Sequence, residues 1–91
     1  MKTCREIEIQ DLVTNKLVER EIFPYSVIFS YLGGESSGIL SITTFFPQQI
    51  QTILNILDYK YECDKSGYFI FEKTNTLLFS GSAFLKLIEK L

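Results

Sequence analysis

Gly33 and Gly38, five residues apart in LGGESSGIL, have the spacing of a loop that cradles phosphate groups. A phosphate loop of the GxxxxGKS/T kind also needs a lysine and a hydroxyl after its second glycine, and a helix whose free amides point at the phosphates. Ile39 and Leu40 stand in those two places, and the stretch ILSITTFF alternates apolar and hydroxyl residues with the period of a strand. The glycines therefore read as a hairpin loop. Paired carboxylates are the next candidates. Glu6 and Glu8, Glu19 and Glu21, and Glu62 and Asp64 each stand two apart. On a strand, both members of such a pair point to one side, as acid–base catalysis or a divalent cation requires. The same alternation describes a solvated strand face, which is the expectation here.

Cys4 lies beside Arg5, whose charge favours a thiolate, but no base or oxyanion donor stands near it in sequence. The chain contains no histidine, which removes the commonest general base, the commonest metal ligand and every Cys-His or Ser-His pairing. No catalytic residue, metal ligand or cofactor is expected, and an enzyme working with carboxylates is the least favoured class. In KSGYFIFEK, basic residues flank aromatics as they do in sheet-based RNA binders. No small residue separates Tyr68 from Phe69, however, and Glu62, Asp64 and Glu72 surround the rings.

Charge and composition narrow the classes further. Nine basic residues face eleven acidic ones for a net charge of −2, and only Arg5 and Arg20 are arginines, so nothing draws the chain to nucleic acid or an anionic membrane. Cys4 and Cys63 form no CxxC pair and read as reduced thiols. The apolar run 22–32, IFPYSVIFSYL, is too short to span a bilayer, and Arg5 and Glu6 interrupt any signal-peptide run. With 46% hydrophobic and 14% aromatic residues, the 91-residue chain should fold as a single cytoplasmic domain over residues 1–91.

The elements that position these residues follow from periodicity. In IEIQDLVTNKLVEREI, a tight turn at Asn15 and Lys16 sets Val13 opposite Val18, Asp11 opposite Arg20 and Ile9 opposite Ile22, a self-consistent hairpin. A second hairpin around GGESSG pairs Leu32 with Ile39, Tyr31 with Leu40 and Phe29 with Ile42 on one face. Ser30 with Ser41 and Ile28 with Thr43 lie on the other. FPQQIQTILNILD predicts a helix with Ile50, Ile53, Leu54 and Leu57 as its core stripe and Gln48, Gln51, Thr52 and Asn55 as its wet face.

A third hairpin, with a loop at Lys65, Ser66 and Gly67, pairs Cys63 with Phe69, Tyr61 with Phe71 and Lys60 with Glu72, pointing Cys63 and Phe69 inward. TNTLLFSG permits one more strand after a turn near Asn75, and a last helix from about Ser82 buries Phe84, Leu87, Ile88 and Leu91. The order ββββαββ(β)α predicts an α+β fold, an antiparallel sheet built from hairpins with two amphipathic helices over one face.

Between Ile22 and Leu57, Glu35 is the single charged residue in 36 positions, and the flanks carry the other 19 of the chain's 20 charges. Charges normally keep sheet edges and helix faces apart, and interface centres lack them. The stretch describes either central strands buried on both faces or a contact surface. The leading expectation is a small non-catalytic interaction or regulatory protein that associates with itself and binds a protein partner. Ser30, Ser41, Thr43, Gln48, Gln51, Thr52 and Asn55 are its candidate interface. The alternative is a small-molecule or nucleotide-binding module with a pocket lined by Tyr25, Tyr31, Tyr59 and Tyr61.

Overall fold

In a computed structural model of the chain, residues 3–34, 36–57 and 67–91 are described. They form helix α1 (Cys4–Glu19), strands β1 (Pro24–Gly34) and β2 (Ser37–Thr44), and helix α2 (Pro47–Leu57). Strand β3 (Tyr68–Phe71), a 3-10 turn (Glu72–Thr74), strand β4 (Thr76–Phe79) and helix α3 (Ala83–Lys90) follow. The strands make one antiparallel sheet in the order β1-β2-β4-β3. The α+β class expected from the sequence is what forms, with one substitution at its start: the first hairpin is a helix.

That helix is specified at both ends. Thr3 and Glu6 form a capping box, in which the Thr3 hydroxyl accepts the Glu6 N–H at 3.2 Å and the Glu6 carboxylate accepts the Thr3 N–H at 2.8 Å. At the far end Ile22 N–H donates to Leu17 O and Glu21 N–H to Val18 O, both at 2.9 Å, while Glu21 sits in the left-handed region at φ 62°. This is a Schellman closure, completed by the contact its geometry favours between two buried side chains, Leu17 and Ile22. Ile9, Val13 and Leu17, spaced by four, form the buried stripe. The turn expected at Asn15 and Lys16 lies inside the helix, so the pairings Val13–Val18, Asp11–Arg20 and Ile9–Ile22 are not made.

The second hairpin forms with the predicted faces and a different register. Phe29 lies opposite Leu40, Ser30 opposite Ile39, Tyr31 opposite Gly38 and Ile28 opposite Ser41, a slip of two residues from the expected pairing. A slip of two preserves the side-chain alternation, so Phe29, Leu40 and Ile42 still face inward. Two extra β1 residues between Tyr31 and Gly34 form a bulge, which Gly33 permits with φ 88°. Gly38 is fixed by packing, because a β-carbon there would lie 2.6 Å from the Phe29 ring and 2.8 Å from Ser30 O.

The helices cover the inner side of the sheet. Val13, Leu17, Phe29, Leu40, Ile42, Ile53, Leu54, Leu57, Tyr68, Leu77, Phe79, Phe84 and Leu87 join one buried core, with the Phe29 and Phe84 rings 4.6 Å apart. The stripes predicted for α2 and α3 are those buried, apart from Ile88 and Leu91, which pack against the core partly exposed. Arg20, just past α1, donates to Lys90 O at 3.0 Å and Leu91 O at 3.2 Å, joining the ends of α1 and α3. Strand β3 pairs with β4 through Tyr68–Phe79 to Phe71–Thr76, the extra strand foreseen after Asn75. The earlier half of the third predicted hairpin, with Tyr59, Tyr61 and Cys63, lies outside the described residues.

Two substitutions test this account. Gly38→Ala should cost about 1–3 kcal/mol by overpacking against Phe29, whereas Gly34→Ala, with nothing within 4 Å of its β-carbon, should stay within about 0.5 kcal/mol; urea melts read both. Glu21→Gly should raise stability by about 0.5–1 kcal/mol, since only glycine adopts a left-handed φ without steric cost. A lower melting temperature for Glu21→Gly would contradict the Schellman assignment.

Candidate functional site

The residues that promised chemistry are separated by the fold. Glu6 and Glu8 sit on a helix, where a spacing of two turns them to different faces. Glu6 turns to the sheet and accepts the Tyr31 N–H at 2.8 Å, while Glu8 pairs with Arg5 at 3.3 Å in solvent. Hydrogen bonds to Tyr31 and then Glu8 hold the Arg5 guanidinium above its usual pKa. Glu19 ends α1 and Glu21 lies in the turn beyond it, both exposed, so this pair makes no strand face either. Glu62 and Asp64 fall outside the described residues. Cys4 is exposed in the first turn of α1, and among the described residues no group of three or more His, Cys, Asp or Glu converges to hold a metal ion. Gly33 lies at the end of β1 and Gly38 at the start of β2, so a strand and no helix N-terminus follows the loop.

The predicted tyrosine pocket is not assembled by the residues described. Tyr25 is exposed at one end of β1, edge-on to Phe45 at 5.3 Å between ring centroids. Tyr31 lies on the inner face against Phe29 at 4.8 Å, six residues further on, which is about 20 Å along a strand. Tyr59 and Tyr61 fall outside the described residues. The described residues do form clefts, two of which bear on this expectation. One, about 390 Å³, lies between α1 and α3 over Tyr31, with Ile9, Leu12 and Phe84 in its walls. The other, about 320 Å³, lies between α2 and β3 and is lined by Ile50, Leu54 and Ile70 among others. Several of their polar groups are already engaged: Arg5 with Glu8, Gln51 with Asn55 at 3.1 Å, and Asn75 with Phe45 O at 3.3 Å. Neither cleft presents the few convergent polar groups that orient a small ligand.

The candidate interface residues divide between two surfaces. Gln48, Gln51, Thr52 and Asn55 lie on the solvent side of α2, in the helix layer, and partly satisfy one another; the Thr52 hydroxyl donates to Gln48 O at 2.9 Å. Ser30, Ser41 and Thr43 lie on the opposite side of the sheet, its outer face. Ser30 and Ser41 are not opposite each other, as the slipped register shows.

The outer face can be followed across the strands. One row runs Ser26, Thr43, Thr76, Phe71, with Thr43 and Thr76 hydroxyls hydrogen-bonded at 3.0 Å. The next outward row runs Ile28, Ser41, Leu78, Phe69, and the next begins Ser30, Ile39. Ile28 is 50% exposed, Phe69 41% and Phe71 50%, and no charged residue stands in these rows. Phe69 was expected to face inward; Tyr68, completely buried, takes that place, and Phe69 and Phe71 turn out. Leu78, Phe69 and Phe71 are thus the members of the face that sequence reasoning missed. The alternation of TLLF and YFIF carried the signal, but alternation alone does not say which half is inside.

At one end of the sheet the rings of Phe23, Tyr25, Phe45 and Phe46 are also exposed. The Phe45–Phe46 turn is held by the buried Thr44, whose hydroxyl donates to Phe46 O at 3.0 Å, and by Asn75. Among the described residues no helix is long and apolar enough to cross a membrane. The chain matches no family model, no curated protein and no solved structure.

Proposed function

We propose that this chain is a non-catalytic protein-interaction module, with a regulatory rather than a chemical role, that associates with its own copies and a protein target through the outer face of its sheet. One observation carries the reading: a sheet side with no charge, no described helix over it, and half-exposed Ile28, Phe69 and Phe71 set among hydroxyls. A side of an antiparallel sheet that meets water normally alternates charged and polar residues outward. Contiguous apolar exposure of this kind marks an interaction site on a soluble domain. The dispersed carboxylates, the lack of histidine and the engaged polar groups of both clefts favour this class over an enzyme or a metabolite-binding module.

Capture from a lysate of the native host tests the reading when three baits are compared. The unaltered chain and Thr52→Lys, on the wet side of α2, should retain the same proteins, while Ile28→Lys, in the middle of the outer face, should lose them. Equal capture by all three baits would contradict the proposal. A nucleotide or metabolite that raises the melting temperature, with no protein retained, would favour the ligand-binding alternative, because a ligand that binds only the folded state must stabilise it.

A further inference from the structure

We infer that the outer face pairs with the outer face of a second copy, about a twofold axis passing near Ser41 and Leu78. This deepens the reading above and rests on it. Ser41 and Leu78 are paired neighbours on the two inner strands of the sheet, in the middle of the row Ile28, Ser41, Leu78, Phe69. A twofold interface is self-complementary, so residues near the axis meet their own copies, and any charge there meets a like charge. The rows of the outer face carry none of the chain's 20 charges, so self-pairing about this axis brings no like charges together.

Shape and area agree with this occupant. Apolar residues run along the row Ile28, Ser41, Leu78, Phe69, broken only by Ser41, and small hydroxyl residues, Ser26, Thr43 and Thr76, flank it. Two such faces stacked at about 10 Å set Ile28, Leu78 and Phe69 against their own copies along the axis, an apolar seam. Strands about 4.8 Å apart, with two or three outward residues each, give a footprint of roughly 300 Å² in projection and, with side-chain relief, about twice that as accessible surface. That reaches the lower end of stable interfaces, about 600 Å² per partner.

Strand-to-strand pairing with a second copy across the β1 edge is obstructed. Gln10 and Glu6 of α1 already accept the Phe29 and Tyr31 amides, at 2.9 and 2.8 Å.

A charge swap at the axis reads the geometry directly. By sedimentation equilibrium at micromolar concentration, the unaltered chain should have twice its 10.5 kDa mass. Ser41→Arg alone and Ser41→Asp alone should each dissociate, their dimer dissociation constants rising at least about a hundredfold through like-charge apposition. An equimolar mixture of the two should return to the double mass. Circular dichroism verifies that each variant is folded, and Leu78→Lys with Leu78→Glu serves as a second pair at the axis. Three results would overturn the inference: an unaltered chain of single mass, variants that remain dimeric, or a mixture that stays monomeric. A single mass overturns self-pairing, here and in the reading above, whereas target binding by the same face is read separately in the Ile28→Lys capture.

Discussion

Two side-chain oxygens set the terms for everything else in this fold. Gln10 Oε1 and Glu6 Oε2, one turn apart on α1, accept the Phe29 and Tyr31 amides of the free edge of β1. A sheet edge half-buried under a helix cannot leave those amides empty, because an unsatisfied donor costs about 1–3 kcal/mol. Glu6 serves two partners at once: one oxygen holds the Thr3 amide in the capping box, the other holds Tyr31. The signal that starts α1 and the contact that docks it are therefore the same side chain. Ile9, Val13 and Leu17 then lie in the core beside Phe29.

With α1 in that position the inner side and the β1 edge are both committed, and the outer face remains. The inner side receives α2 and α3, with Phe29 as a shared anchor: its ring packs against Phe84 and passes so close to Gly38 that no larger residue fits there. That close passage fixes the β1–β2 register, which in turn decides which residues stand side by side on the outer face. The core and the proposed interface are thus two sides of one pairing, and the identity of the residue at position 38 bears on both. The uncharged stretch from Ile22 to Leu57 accordingly divides, with Phe29, Leu40, Ile42 and the α2 stripe in the core and Ile28, Ser30, Ile39, Ser41 and Thr43 outside it.

Much of this was legible in the sequence, and the misreadings have physical causes. The α2 stripe at Ile50, Ile53, Leu54 and Leu57 has a period that no strand shares, and it was read correctly. Residues 6–22 satisfy two periods at once. Ile9, Val13, Val18 and Ile22 align across a hairpin, yet Ile9, Val13 and Leu17 align along a helix, and the capping box Thr3–Glu6 was the unread tie-breaker. A non-glycine residue in the left-handed position, Glu21, hid the end of the helix. The second hairpin was placed on the correct faces because alternation fixes them, while its register slipped by two because a bulge at Leu32 and Gly33 leaves no mark in alternation. The candidate interface joined residues that share a composition; only the tertiary arrangement shows that Ser41 and Gln51 lie in different layers.

The central claim, that α1 seals the β1 edge and leaves the outer face as the contact surface, is tested most directly by residue-resolved amide hydrogen exchange. On an open edge strand the Phe29 and Tyr31 amides would exchange freely, whereas the amides of Ile28 and Ser30, alternating with them, are directed at β2. The account predicts that Phe29 and Tyr31 are protected about as strongly as those neighbours, and that Gln10→Ala releases Phe29 while Tyr31 stays protected. Rapid exchange of both amides in the unaltered chain would contradict it.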